Sequence, residues 1–257
     1  MQEHQSTSAQ AQAPAGASTQ AAEPKKAAKN LYEPYVTPAW FWVSLRTFAR
    51  FVFFLILNVK LVGRKNVPQT GPLIIASNHL HWTDVPLVPA YLSRQVVYLA
   101  KEELFMGRIG WLVRFLGAIP VKRGEADRQL LRASDELLKR GKALVIFPEG
   151  HRSDNHQLIP AHAGMGIIAL RAGVPVVPVA VCGSEHVFKK FRPRITISYG
   201  EPLVLKPKGA KITKEDIQEA TETVMRHIAA MLPPAYRGVY GDEASAQAAT
   251  SETPEAL

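Results

Sequence analysis

Between residues 59 and 232, short apolar runs alternate with longer helix-forming stretches, and this alternation constrains the fold more than any other feature. "VKLVG" (59–63), "GPLIIAS" (71–77), "QVVYLA" (95–100), "AIPVKR" (118–123), "ALVIF" (143–147), "VPVVPVAV" (174–181) and "RITISYG" (194–200) read as strands. Helices are predicted near 84–93, 102–116, 126–140, 160–172 and 213–232, with Gly117, Gly141 and Gly173 at helix ends that favour positive φ. This succession predicts an α/β class: a layered sheet, largely parallel or mixed, flanked by helices. Pro175 and Pro178 lack amide donors, which predicts that "VPVVPVAV" is an edge strand or is bulged.

Ahead of this domain lies the most apolar stretch, "TPAWFWVSLRTFARFVFFLILNVKLVG" (37–63). Arg46 and Arg50 interrupt it, so no unbroken apolar run reaches the ~18 residues of a spanning helix. The arginines lie four apart on one helical face, while Trp40, Trp42, Phe48, Phe51 and Phe54 crowd the remainder. Tryptophan and arginine on an apolar helix favour the headgroup zone, so we read residues 31–57 as a membrane-associated helical segment lying in the interface. A core helix covered by its own domain and a tilted or re-entrant helix are the alternatives. Residues 1–30, rich in Ala, Gln, Ser and Thr, read as a disordered leader, and 241–257 as a disordered acidic tail. The α/β domain is expected over 58–240.

The chain of 257 residues has a formal net charge of +9. Four acids and no base follow from Gly241 onward, so the first 240 residues carry +13. Such a surplus favours anionic partners: nucleic acid, acidic lipid, or phosphorylated and acyl-carrier substrates. A lone cysteine, Cys182, excludes an internal disulfide and a cysteine-rich metal site.

Three polar clusters stand at predicted strand ends. "SNHLHWTD" (77–84) follows the apolar run "PLIIA". His79 and Asp84 could not face each other on one helix, being about 140° apart at 100° per residue, but a strand-to-helix turn can fold Asp84 back. Asp84 is also a credible N-cap before Val85-Pro86. An aspartate holding one imidazole nitrogen fixes the tautomer and supports the charge gained when the other nitrogen takes a proton. Ordinary turn and capping polarity is the competing reading. In "ALVIFPEGHRSD" (143–154) a strand runs into Pro148, and Gly150 permits a sharp turn that offers Glu149, Arg152 and Ser153. Loops at the carboxyl ends of such strands form ligand crevices. Arg152 suits phosphate, Ser153 can add a hydroxyl, and Glu149 could orient Arg152 or accept from a polyol. A surface turn with a salt bridge is the alternative. Finally, Lys122 and Arg123 follow a short strand, and Lys101 stands at a helix start, where a cation opposes the helix dipole and suggests an anion partner.

Other chemistries fit less well. His79, His81 and Asp84 could bind metal with His151, His156 or His162, but "HLHWTD" misses the H-x-H-x-D-H arrangement. There is no G-x-S-x-G elbow, and Cys182 at the end of an apolar strand reads as a buried small residue. Lysine and arginine are scattered, without a basic recognition helix or aromatic RNA-binding signature, which speaks against nucleic-acid binding. A basic membrane-surface binding protein is the non-enzyme alternative.

Taken in order, "VGRKNVPQTGPLIIASNHLHWTD", "GAIPVKRG", "FPEGHRS" and "VPVVPVAV" resemble the four blocks of the glycerolipid acyltransferases, most of all the 1-acyl-glycerol-3-phosphate (lysophosphatidic acid) type. The resemblance spans roughly 58–205. It implies that His79 is the general base and Asp84 its partner. It further implies that Arg123, Arg152 and Lys101 contact the acceptor phosphate, and that Glu149 and Gly150 form the acceptor-binding turn. Pro178 matches the fourth block. Two positions depart from the family pattern: His81 replaces a usual serine, and His151 a frequent threonine. The activity implied is acyl transfer from acyl-CoA or acyl-carrier protein to the sn-2 hydroxyl of 1-acyl-glycerol-3-phosphate, giving phosphatidate. No metal or other cofactor is expected. The expected location is the cytoplasmic face of a membrane, and the alternative acceptors are another lysolipid, glycerol-3-phosphate or an amino-lipid.

Overall fold

The structure, a computed structural model, describes residues 38–108, 110–121 and 128–241. The expected leader and nearly all of the acidic tail lie outside them.

Seven strands form one sheet: β1 (Asn58–Val62), β2 (Leu73–Ser77), β3 (Val96–Lys101), β4 (Ala118–Val121), β5 (Ala143–Ile146), β6 (Val176–Cys182) and β7 (Arg194–Tyr199). Their order is β1-β7-β6-β2-β5-β3-β4. Only the β6–β7 pair is antiparallel; the other pairs are parallel. The helices are α1 (Ala39–Ile56), α2 (Asp84–Ala90), α3 (Glu103–Met106), α4 (Gly110–Phe115), α5 (Arg128–Lys139), α6 (Gly164–Ala172) and α7 (Lys214–Ala230). The predicted class therefore stands. The single helix expected over 102–116 is broken into two at Gly107, whose extended backbone (φ −84°, ψ 177°) ends α3.

Strand β2 shows why its sequence is uniformly apolar. All five of its residues are buried. Leu73 and Ile75 point into one core with Leu87, Val88 and Leu92, while Ile74 and Ala76 point into the other with residues of α5, α6 and α7. A strand covered on both faces has no reason to alternate polar and apolar side chains.

The placement of β6 corrects the sequence expectation. It is an interior strand, paired to β2 on one side and β7 on the other, with an unbroken register. Pro178 is tolerated because β7 pairs only from Val179 onward. Val176 N–H and Pro178 C=O both face the β7 side, where they meet Leu203 and Gly200. The missing donor of Pro178 thus falls in the gap before the ladder starts. Gly200 fits against the proline ring because it lacks a side chain: a Cβ there would meet Pro178 Cγ at 2.8 Å.

Helix α1 packs against α2 and β1. The two arginines expected in a headgroup zone instead hold it to the protein. Arg46 Nη1 donates to Leu92 O (2.7 Å), and Arg50 Nε to Ala90 O (2.5 Å), so both guanidiniums satisfy carbonyls at the end of α2. Trp42 is buried on the same side. The opposite face leaves Trp40, Val43, Phe48, Phe51, Phe54 and Leu55 exposed. By length and composition α1 could cross a membrane, and only 11% of it is buried, unlike a covered core helix.

Candidate active site

In a parallel sheet the carboxyl ends of the strands share one edge, and at that edge β2 and β5, neighbours in the sheet, deliver the two main polar turns. Asn78, next after β2, is fully buried, and its amide spans to β6. Its Nδ2 donates to Val181 O (2.9 Å) and its Oδ1 accepts from Val181 N (2.7 Å). This side chain mimics a further ladder step where the backbone of β2 leaves the sheet. Nothing in the sequence beyond the turn propensity of asparagine points to that job.

The chain then turns, and Asp84 folds back as the spacing allowed. His79 Nδ1 lies 3.1 Å from Asp84 Oδ2, and the same oxygen accepts from Leu80 N and His81 N, each at 2.7 Å. Asp84 is wholly buried and opens α2, but its carboxylate serves the preceding loop rather than the helix's own amides. Three donors thus converge on one buried oxygen, Oδ2. With Oδ2 the acceptor of this group of donors, Nδ1 of His79 carries the hydrogen and Nε2 has the free lone pair. The His79 side chain is 14% exposed, and its ring stacks on Phe147 at 4.4 Å.

The second turn follows β5. Ser153 N donates to His79 O (3.1 Å), stitching the two turns together. Gly150 adopts φ +70°, and a Cβ there would lie 2.6 Å from the ring of His162, so both conformation and space call for glycine. His162, considered above only as a metal ligand, packs over this turn and donates its backbone N–H to Pro148 O. Glu149 is fully buried, and no hydrogen bond of ordinary geometry reaches either carboxyl oxygen. Burial pushes its pKa up to about 8. The facing His79 backbone N–H opposes this, and the nearby Asp84 charge adds to it. The group is therefore chiefly a neutral acid at pH 7, able to donate as well as accept.

The remaining expected residues divide. Arg152 is exposed on the rim, close enough to His81 to help lower that imidazole's pKa, although burial of His81 is the larger cause. Ser153 is buried, and its hydroxyl donates to Asn155 Oδ1 (2.7 Å) and accepts from Gln157 N (3.1 Å), so it is spent inside its own loop. Lys101 closes β3 rather than starting a helix. Its side chain, and the whole of Arg123, lie outside the described residues. His81 Nδ1 pairs with Thr83 Oγ1 at 2.9 Å. Among the described residues no three His, Cys, Asp or Glu side chains gather as a metal site.

A layered α/β sheet with a carboxylate-steered imidazole at its carboxyl edge suits acyl transfer to a hydroxyl, and the comparisons agree. The Acyltransferase family matches residues 58–182. The 1-acyl-sn-glycerol-3-phosphate acyltransferase of Bacillus subtilis is 32% identical over 176 residues, spanning 66% of this chain and 86% of that protein. Lyso-ornithine lipid O-acyltransferase of Pseudomonas aeruginosa is 37% identical over 112 residues, 43% of each chain. The crystal structure of the 1-acyl-sn-glycerophosphate acyltransferase PlsC from Thermotoga maritima superposes with a TM-score of 0.59 at 26% identity, covering 75% of this chain and 80% of that one. This chain is an acyltransferase. It belongs to the family of the 1-acyl-sn-glycerol-3-phosphate (lysophosphatidic acid) acyltransferases.

Proposed function

We propose that the enzyme transfers a fatty acyl group from acyl-CoA or acyl-carrier protein to the sn-2 hydroxyl of 1-acyl-glycerol-3-phosphate, forming phosphatidate at the cytoplasmic face of a membrane. The observation that carries this reading is the His79–Asp84 pair, with its unpaired Nε2 and with Glu149 and Arg152 on the adjoining turn. His79 Nε2 takes the proton of the attacking hydroxyl as its oxygen bonds to the thioester carbon. Asp84 supports the imidazolium so formed. Collapse of the tetrahedral intermediate breaks the C–S bond, and the leaving thiolate recovers the proton from His79. No residue becomes acylated, and no metal or other cofactor takes part.

Arg152, with Lys101 and Arg123 as expected from sequence, receives the acceptor phosphate. Glu149 and Gly150 shape the wall that holds the glycerol. The amides of Leu80, His81, Gly150 and Ser153 already donate within the protein, so the oxyanion is stabilised by other donors. The open apolar face of α1 supports attachment to the membrane where a one-chain lipid resides.

A second reading, acylation of a lyso-amino-lipid, is favoured by the lyso-ornithine relative and by His81 and His151 at the two positions that depart from the family pattern. The deciding assay offers purified protein several lysolipids and glycerol-3-phosphate with both thioester donors and identifies products by mass spectrometry. Phosphatidate as the main product is expected. A main product built on lyso-ornithine lipid would replace the first reading with the second.

A further inference from the structure

The segment joining the carboxyl end of β6 to β7 reads "VFKKFRP" (187–193) and contains an unusual surface. Val187 and Pro193 are buried at its two ends, and the five residues between them are exposed. Phe188 is 74% exposed and Phe191 93%, the latter the most exposed large apolar side chain among the described residues. Their display is built in. Phe188 and Arg192 have φ of +68° and +46°, left-handed values that non-glycine residues adopt only when the surroundings hold them. Lys189 N and Lys190 N both donate to His186 O, fixing the turn.

Two contacts tie this loop to its neighbours. Phe188 stacks on Trp82 at 5.9 Å with planes 10° apart, and Trp82, itself half exposed, lies in the turn between His79 and Asp84. On the other side Arg192 donates to Phe54 O (3.1 Å) and sits 5.8 Å from the centre of the Phe54 ring, on the exposed face of α1. Exposed aromatic and aliphatic side chains therefore run from α1 through Phe54 to the loop and on to Trp82 beside the catalytic turn. Lys189, Lys190 and Arg192 are interleaved among them.

We propose that residues 188–192 form a second membrane contact that inserts Phe188 and Phe191 among the headgroups of anionic lipids and sets the mouth of the active site against the bilayer. Charge selects the occupant. Protein interfaces are depleted of lysine at their centres, whereas aromatics interleaved with Lys and Arg suit an anionic headgroup layer. Continuity with α1 supports the same partner, because one flat surface meets both elements. A one-chain acceptor would then pass from the bilayer along Trp82 to His79 without crossing water. This deepens the acyl-transfer reading and rests on it for the direction of that passage.

The test separates docking from chemistry. In the full chain with Cys182→Ala, Phe191→Cys is labelled with a polarity-sensitive dye. Vesicles of phosphatidylcholine with phosphatidylglycerol should shift its emission to the blue, and the same dye at Glu222→Cys on α7 should not shift. No shift at residue 191 while the protein sediments with the vesicles would overturn the proposal. A shift of equal size with pure phosphatidylcholine would overturn the assignment to anionic headgroups. Lys189→Glu/Lys190→Glu should weaken partitioning to the anionic vesicles by roughly ten-fold or more; unchanged partitioning would count against the loop. Phe191→Ser should leave turnover of a short-chain, monomeric acceptor intact and raise the apparent KM for acceptor held in vesicles about three-fold or more. Equal kinetics with both acceptors would refute delivery from the bilayer. If wild-type protein acylates neither acceptor, the activity reading fails while the dye still decides the docking surface.

Discussion

The turns at 79–84 and 148–153 leave neighbouring parallel strands and each buries a carboxyl group completely, yet they treat it in opposite ways. Asp84 has three donors on Oδ2, the His79 ring and the amides of Leu80 and His81, while its Oδ1 has none. Glu149 has no partner of ordinary geometry and sits with its pKa raised to about 8. A polar group left unmatched in a folded core is a standing cost, kept where a ligand later supplies the match. The first turn has one of its carboxylate oxygens fully engaged, Oδ2, and the second has neither. On the proposed reading, proton transfer and acceptor binding fall to two loops that are joined by the hydrogen bond from Ser153 N to His79 O.

That contrast can be attacked directly. The largest effect is expected from His79→Ala, which should lower kcat by ~10⁴-fold with the far-UV spectrum and unfolding midpoint preserved, since the partly exposed ring is not a core element. A folded variant with normal turnover would remove the base from the first turn. Asp84→Asn should come next, with kcat down roughly a thousand-fold because an amide can present its NH₂ to Nδ1 and favour the wrong tautomer. Asp84→Ala should in addition lose about 3 kcal/mol of stability in denaturant titrations, as it strands the two amides and the imidazole. An alanine variant as stable as wild type would contradict the anchoring of this turn by Asp84. On the second turn, Arg152→Ala should raise the acceptor KM by about ten-fold, with a much smaller change for the thioester. Equal shifts for both substrates would take the phosphate away from Arg152.

Glu149→Gln leaves the proposed chemistry in place and reads the second turn through stability instead. In the native state the carboxyl stays protonated up to about pH 8, whereas in the unfolded chain it ionises near 4.5. The unfolded state therefore gains from ionisation as pH rises, and wild-type stability falls between those values. A glutamine escapes this loss. The difference in stability between Glu149→Gln and wild type should move in the variant's favour by at most about 1.4 kcal/mol per pH unit from pH 5 to pH 8, then level off. A difference independent of pH would mean that Glu149 is charged in the fold.

The elements readable in the sequence were those whose cause is local. Doubly covered strands such as β2 announce themselves as apolar runs, and the five-residue spacing of His79 and Asp84 already required a turn between them. What escaped depends on partners distant along the chain. Pro178 pointed to a sheet edge until the late start of β7 showed where its missing donor falls. Arg46 and Arg50 looked like headgroup ligands because the carbonyls they satisfy, at Ala90 and Leu92, lie some forty residues away. Ser153 looked free to bind phosphate because the loop that consumes its hydroxyl has no sequence signature stronger than Asn155 and Gln157. The burial of Glu149 was likewise invisible, since a turn glutamate is ordinarily at the surface.

The Asn78 clamp bears on biosynthesis. The residue beside the catalytic imidazole is fastened to a strand 103 positions later, so His79 has no firm footing until β6 has joined the sheet. A chain that ends before Val181 lacks both backbone partners of the Asn78 amide.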